Sequence, residues 1–232
     1  ILLIVNAGLA SLGYYEQRQL FDTYQQQIRE QQGRQVKALL EKSFYRLEQI
    51  TQMIPSLAQA AMPMPEMPLA DKLQNFFIHS ASTLDLEWNL QEASYYSIYN
   101  ERLFSWRDRT QDREAFLKLV SSVNSAEVPL TMLTCDTQCY QFVAVPLLEK
   151  GKKAGVLLVG WTLADLVIEF TQLAKADVAV ISKPPAIRHL TGDKRYLRNW
   201  DRYVAAASNL THQLSLLDEL TRQVGMKWLI ED

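Results

Sequence analysis

The sequence predicts an α+β fold in which a long N-terminal helix packs on an antiparallel sheet, followed by a smaller C-terminal part made of helices and a strand. Two patterns support this prediction. Apolar residues recur at three- and four-residue steps from Leu20 to Leu57, which is the spacing of one helix face. The apolar runs 140–148 and 155–163 are joined by a Gly- and Lys-rich segment, which is typical of a β-hairpin.

Composition excludes several classes of protein. The chain has 232 residues, 48% of them hydrophobic, which is enough for a sizeable core. Its 24 basic and 26 acidic residues are mixed without a basic block, which argues against nucleic acid as a partner. The motifs of phosphate-binding loops, serine hydrolases and zinc proteases are missing, and His79, His189 and His212 are scattered. The sequence therefore predicts no enzyme in this segment, no cofactor and no metal site.

The first residues are apolar and uncharged. Residues 1–15 are too few to span a membrane alone, so they are predicted to be the end of a transmembrane helix, with Tyr14 and Tyr15 at the interface. The tail of a cleaved signal peptide and a buried apolar helix are the two alternatives. A membrane anchor is the preferred interpretation, because a helical pattern continues directly into the next segment.

Residues 16–61 are predicted to form one long signalling helix, whose remaining faces are rich in Gln, Glu, Arg and Lys. Gly33 interrupts the pattern, and Pro55 together with the prolines of 62–68 is expected to end it. The methionines of 62–68 are interpreted as an apolar loop rather than as copper ligands. A helix of this length exceeds what one domain can cover, so residues 20–28 are predicted to pair with a second copy in a parallel homodimer.

Most of the remaining chain is predicted to alternate between strands and helices. Residues 112–123 are interpreted as a helix that begins with an aspartate cap, and runs of aromatic and β-branched residues are interpreted as strands. The predicted elements are helices at 71–81, 112–123 and 164–175 and strands at 86–90, 95–99, 103–106, 130–134, 140–148, 155–163 and 177–182. Residues 183–225 are predicted to be mostly helical, and 226–232 to form a last strand.

Cys135 and Cys139 are the two cysteines of the chain. Outside the cytoplasm such a pair is expected to oxidise, so the sequence predicts a disulfide that holds the turn between two strands. A redox-sensing disulfide and a pair of reduced core cysteines are the alternatives.

The predicted hairpin resembles a known family. Residues 143–148, a Gly-Lys turn, residues 155–163 and the helix that follows are similar to the closing hairpin of Cache domains, the PAS-like extracytoplasmic sensors of bacterial receptors. The resemblance covers residues 15–182 and implies a Cache sensor module at 62–182, on the periplasmic side of a bacterial inner membrane. Residues 183–232 would then be a membrane-proximal segment, for which a degenerate second module is one interpretation.

A PAS-like sheet binds ligands against one of its faces, so polar and aromatic residues of the predicted strands are candidates for a pocket. The candidate ligand-binding residues are Tyr95, Tyr99, Trp106, Arg107, Tyr140, Phe142 and Trp161. Because strand side chains alternate between two faces, part of this set is expected to point elsewhere, and core packing is the favoured interpretation of these residues. Arg102, Trp106 and Arg107 do not match the spacing found in amino-acid-binding Cache domains, so the resemblance implies no particular ligand.

The function that the resemblance implies is sensing of a small molecule or envelope signal. The change would pass through the membrane to an output domain such as a diguanylate cyclase, a cyclic-di-GMP phosphodiesterase, a histidine kinase or a chemotaxis domain. The signal is expected to travel through the first helix, the last strand at 226–232 or both, with Gly33 and Pro55 bounding the movable part of the helix. The alternative functions are a protein-interaction module that docks a periplasmic partner without a small ligand, and a membrane-tethered enzyme.

Overall fold

The structure, a computed structural model, describes residues 2–61, 66–108, 113–135, 138–175, 177–183 and 193–223; for 2–16 and 221–223 it describes the helical backbone alone. Two units divide the chain, Ile1–Glu41 and Lys42–Asp232. The described elements are α1 (Leu2–Ala61), α2 (Leu69–His79), α3 (Ala81–Leu86), β1 (Leu90–Tyr96), β2 (Arg102–Trp106), α4 (Arg113–Ala126), β3 (Leu130–Cys135), β4 (Cys139–Glu149), β5 (Lys152–Thr162), α5 (Ala164–Ala174), β6 (Ala179–Ser182), β7 (Tyr196–Leu197), a 3-10 turn (Arg198–Trp200), β8 (Arg202–Ala207) and α6 (Leu210–Gln223).

The first helix is a single element of 60 residues that includes Pro55 in its interior. The expectation that Pro55 marks its end is wrong. A proline removes one backbone hydrogen bond of the helix, but here packing outweighs that loss. Leu47, Thr51, Ile54 and Ala58 form a fully buried stripe on both sides of the proline. Within the described residues, no helix has the length and hydropathy that a membrane span requires.

A five-stranded sheet with the order β2-β1-β5-β4-β3 forms the centre of the second unit, and every neighbouring pair is antiparallel. The predicted hairpin is present as β4 and β5, whose turn contains Lys150 and Gly151 with φ values of 51° and 76°. The two separate strands predicted at 86–90 and 95–99 are wrong, because one strand, β1, spans Leu90–Tyr96 and α3 ends at Leu86. Aromatic content alone did not locate the strand ends.

The two faces of this sheet are covered by different helices. One face, which we call the α1 face, packs against α1, α2 and α3. Its buried residues are Ala93, Tyr95, Phe104, Trp106, Val143, Val145, Leu147, Leu157, Val159 and Trp161. The opposite face, which we call the α4 face, carries Tyr96, Phe142, Ala144, Val156 and Leu158 and packs against Phe116, Val120 and Val123 of α4.

A second sheet follows in the C-terminal part, with three antiparallel strands in the order β6-β8-β7. Its core contains Leu197, Trp200, Val204 and Leu217, so α6 packs on this sheet. Among the described residues of 183–225, α6 and the 3-10 turn agree with the predicted helical content, but the prediction missed the strands β7 and β8. β7 has two residues, and β8 has the sequence Arg-Tyr-Val-Ala-Ala-Ala, in which alanine is a poor strand former. The last strand predicted at 226–232 lies outside the described residues.

Candidate functional site

Three of the predicted pocket residues lie in the core between the sheet and the first helices. Tyr95, Trp106 and Trp161 belong to the α1 face, where helices cover them. The Tyr95 hydroxyl donates a hydrogen bond of 2.6 Å to the carbonyl oxygen of Ala154. Trp106 packs on Phe77 of α2, with 5.5 Å between the ring centroids. These side chains fill the core of the module.

Tyr140 and Phe142 lie on the opposite face of the sheet. Phe142 is fully buried, with its ring centroid 4.6 Å from that of Phe116 of α4. Gly160 on the neighbouring strand leaves the space for this ring, because a Cβ added there would lie 2.3 Å from a ring carbon of Phe142. This pair therefore fixes how closely α4 approaches the sheet.

Tyr99 and Arg107 lie at the ends of strands rather than on either face. Tyr99 is 77% exposed in the turn between β1 and β2. Arg107 follows β2, and its guanidinium pairs with Asp85 at 2.8 Å and lies 4.6 Å from the ring centroid of Trp106. The predicted residues are thus distributed over two faces and two loops, and the structure does not bring them together in one cavity.

A buried polar cluster on the α4 face was not predicted from the sequence. Glu92 and Ser94 of β1 are each 1% exposed, and Tyr96 is 4% exposed. Ser94 Oγ donates a hydrogen bond of 3.2 Å to Ser105 Oγ of β2. The signal in the sequence was the polar residues Glu92 and Ser94 at alternate positions of a strand that also contains Ala93, Tyr95 and Tyr96. With Arg102 and Asp108 at its outer edge, we call Glu92, Ser94, Tyr96, Arg102, Ser105 and Asp108 the β1 polar cluster.

The charges of the β1 polar cluster act on Tyr96. Burial raises the pKa of the Tyr96 phenol, and Arg102 opposes this rise while the carboxylates of Glu92 and Asp108 add to it. Arg102 in turn pairs with Asp108 at 2.9 Å, and Arg113 at the start of α4 contacts the same carboxylate at 3.3 Å. The cluster thus runs from a buried carboxylate on the sheet to partly exposed charges at the beginning of α4.

The β1 polar cluster lies beside the apolar contacts of α4. The helix makes most of its contacts with β3, β4 and β5, and its apolar residues also pack with Tyr96 of β1. A carboxylate and hydroxyl groups that are removed from water need hydrogen-bond partners. Within this module the cluster therefore differs in chemistry from the apolar core on the other face of the sheet.

On the α1 face, a buried hydrogen-bonded contact connects the first helix to the sheet. Gln141 of β4 is fully buried. Its Oε1 accepts hydrogen bonds of 2.6 Å from Ser43 Oγ of α1 and of 2.6 Å from Trp161 Nε1. At the surface, Lys42 of α1 pairs with Glu169 of α5 at 3.3 Å. These contacts tie the second part of α1 to the hairpin and to α5.

The predicted disulfide is confirmed. Cys135 and Cys139 are bonded to each other, and they are register partners at the point where β3 turns into β4. The backbone N–H of Leu163 donates to the carbonyl oxygen of Cys139 at 2.9 Å, so this turn also contacts the end of β5. Among the described residues, no group of three or more His, Cys, Asp or Glu could hold a metal ion.

Residues 15–230 match the model of the family dCache_3, described as the double sensory domain of two-component sensor kinases. No curated protein matches the chain. Among solved structures, the ligand-binding domain of a Pseudomonas aeruginosa amino acid chemoreceptor in complex with GABA is 10% identical over 63% of this chain and 67% of its own, with a TM-score of 0.44. The sensor domain of a V. cholerae histidine kinase is 12% identical over 82% and 69%, with a TM-score of 0.44. The sensory domain of a Campylobacter jejuni chemoreceptor with isoleucine bound is 10% identical over 82% and 74%, with a TM-score of 0.42.

Proposed function

We propose that this chain, which belongs to the dCache_3 family of double sensory domains of two-component sensor kinases, detects a small polar molecule outside the cytoplasm and passes the signal across a membrane. The observation that carries the proposal is the β1 polar cluster. Glu92 and Ser94 are buried polar residues on a sheet whose core is mostly apolar. Burying polar groups costs desolvation free energy that apolar residues would not cost, so a function that needs these groups explains their presence.

The charge of the site indicates the class of ligand. The Glu92 carboxylate accepts hydrogen bonds, so it favours a molecule with an ammonium or another donor group. Arg102 and Asp108 lie on the solvent side of the cluster and offer a donor and an acceptor to the other end of the molecule. We therefore expect small amines and amino acids to bind more tightly than anionic or apolar compounds do.

A thermal-shift screen of small amines and amino acids tests this proposal. A ligand present at one hundred times its dissociation constant stabilises the folded state by about 2.7 kcal/mol, which raises Tm by several degrees. We expect the shift to disappear in Glu92→Gln and to persist in Glu87→Gln, which changes an exposed carboxylate before β1. The small-ligand proposal is wrong if no compound raises the Tm of the protein, or if Glu92→Gln responds like the wild type. A protein-interaction module would then be the better account of the domain.

We further propose that the domain is periplasmic and anchored in a bacterial inner membrane. The uncharged residues 1–15 favour an anchor, and the disulfide between Cys135 and Cys139 favours an oxidising compartment. Protein purified from the envelope without reductant should have a mass about 2 Da lower than the same protein after reduction, because the disulfide lacks two hydrogens. Two free thiols in the exported protein would contradict both the disulfide and the compartment.

Transmission is proposed to run along α1, with a histidine kinase as the output because the family is named for such kinases. Ser43 and Lys42 tie α1 to the hairpin and to α5, so a shift of the sheet would move this helix. An added methyl group at Gly33 would meet no atom within 4 Å, so Gly33→Ala should stiffen the helix without a clash. We expect it to change the stimulus response of the full-length protein at normal abundance, and an unchanged response would contradict this route.

Pairing of two copies through α1 is part of the same proposal. Leu20, Phe21 and Tyr24 are 71%, 60% and 60% exposed, which leaves an apolar group on a solvated helix. A cysteine at Tyr24 should cross-link two chains in membranes, whereas one at the exposed Gln19 reports random collision. Equal cross-linking at both positions would contradict a defined dimer.

The three-stranded sheet is, in this proposal, the reduced second sensory module.

A further inference from the structure

A cleft of about 340 Å³ lies where the two sheets meet, away from the β1 polar cluster. The five-stranded module contributes Thr162, Val167 and Ile168 to its wall. The three-stranded module contributes β8 and Arg195. Its volume falls within the range of small-molecule sites in proteins, about 300–1,000 Å³.

The cleft is open because small residues line it. Ala205, Ala206 and Ala207 succeed one another in β8, and Ala164 faces them from the start of α5. Alanine is depleted in strands, where larger β-branched residues pack better. Ala207 packs on the core under α6, and strand side chains alternate in face, so the Ala206 methyl points to the opposite side, toward the cleft. This small side chain leaves the space between the sheets unfilled, and Val167 gives that space an apolar wall.

The charge on the wall of the cleft is positive. Arg195 is the one charged side chain among its described lining residues, and Gln138, Thr162 and Ser208 are polar neighbours. Two carboxylates lie nearby but do not line the cleft. Asp177 accepts a hydrogen bond of 2.8 Å from Ser208 Oγ, and Asp193 accepts one of 3.1 Å from the Tyr203 hydroxyl.

We propose that this cleft binds a small organic anion, namely a carboxylate with a short aliphatic chain. The carboxylate would pair with the Arg195 guanidinium, and the chain would pack on Ala206 of β8 and on Val167. Such a ligand contacts both sheets at once, so its binding favours the arrangement in which they are packed together. This site is independent of the β1 polar cluster, where the proposed ligand has the opposite charge.

The test uses butyrate as the probe and the 232-residue chain with ¹³C-labelled alanine methyl groups. We expect a saturable change in the methyl signal of Ala206 at millimolar butyrate and none with butylammonium, which has the same chain and the opposite charge. Arg195→Gln should weaken binding about tenfold or more, because a charge-assisted hydrogen bond is lost. Arg198→Gln, which changes an exposed arginine outside the cleft, is the matched control and should bind as the wild type does.

A second variant fills the cleft without touching its charge. Ala164 is exposed at the start of α5, so Ala164→Leu should fold normally and block butyrate. Glu92→Gln should still bind butyrate, which separates this inference from the proposed amine site. The inference is overturned if butyrate causes no saturable change, if butylammonium binds equally well, or if Arg195→Gln and Ala164→Leu both bind like the wild type.

Discussion

The two faces of the five-stranded sheet are built from the same strands but have different chemistry. In β1, Ala93 and Tyr95 point to the α1 face, and Glu92 and Ser94 point to the α4 face. On the α1 face, aromatic residues of β1, β2 and β5 meet three helices and form the larger core. On the α4 face, one helix packs on apolar residues of β4 and β5 and on Tyr96 of β1, while Glu92 and Ser94 of β1 are buried polar residues.

The difference separates stability from recognition. Apolar packing on one face is enough to hold the strands together, which allows the opposite face to retain buried polar groups that contribute little to folding. Substitutions test this division. On the α1 face they should lower the free energy of unfolding, and in the β1 polar cluster they should lower the response to ligand.

The largest expected loss of stability comes from the α1 face. Phe77 is fully buried, and its ring lies 5.5 Å from the rings of both Phe104 and Trp106. Phe77→Ala removes these contacts and leaves a cavity, so the free energy of unfolding should fall by about 3–5 kcal/mol in urea titrations. Leu86→Ala, at a residue that is 83% exposed, should change it by less than about 0.5 kcal/mol. Equal effects would show that this face does not carry the stability.

The next effect concerns the apolar half of the α4 face. Gly160→Ala places a methyl group 2.3 Å from the ring of Phe142, which is buried against Phe116 and has little room to move. Overpacking of this kind costs about 1–3 kcal/mol. In the double variant Gly160→Ala/Phe142→Leu, part of the clash is relieved. Its loss of unfolding free energy should therefore be smaller than the sum of the losses in the two single variants. Additive losses in the four-member cycle would contradict direct contact between these two positions.

A smaller loss is expected in the β1 polar cluster. Ser94→Ala removes the 3.2 Å hydrogen bond to Ser105, which should reduce the free energy of unfolding by about 0.5–1.5 kcal/mol. The same variant should respond less to any compound found in the thermal-shift screen. Thr83→Ala, at an exposed position of α3, serves as the control for the measurement. A loss as large as that of Phe77→Ala would remove the proposed division between the faces.

The smallest effect should appear only in alkali. Burial raises the pKa of the Tyr95 phenol above its ordinary value of 10.0, and the Glu149 carboxylate adds to this rise. The folded protein therefore holds the phenolic proton more tightly than the unfolded chain does. The resulting stability is present below about pH 10 and is lost as the pH rises through the folded-state pKa.

Tyr95→Phe removes this titration, so the decline of unfolding free energy above pH 10 should become shallower. Urea titrations on both sides of that pH measure the slope, with Tyr99→Phe at the exposed turn as the control. The Tyr95→Phe variant also loses the hydrogen bond to Ala154, which lowers the unfolding free energy at neutral pH as well. The test is therefore the slope of unfolding free energy against pH, not its absolute value. An unchanged slope would contradict the raised pKa.

The sequence predicted the long helix and the hairpin of β4 and β5 because both depend on local periodicity. Helix spacing around Leu47 and Ile54 and the Gly151 turn are properties of short segments. It did not predict the second sheet, since β8 is rich in alanine and pairs with β6 across a long separation in sequence. Nor did it separate core residues such as Tyr95 and Trp161 from pocket residues, because the face that a helix covers is decided by tertiary packing.

The pairing of Trp161 with Gln141 has an optical consequence. The indole N–H of Trp161 donates to a buried amide that Ser43 of α1 also contacts, and the ring is 9% exposed. An indole shielded from water emits at shorter wavelength than a hydrated one, so displacement of α1 would shift its emission to the red. With the other tryptophans replaced, Trp161 would be an intrinsic fluorophore at the contact between helix and sheet. A stimulus that displaces α1 would then be detected as a shift in the wavelength of its emission maximum.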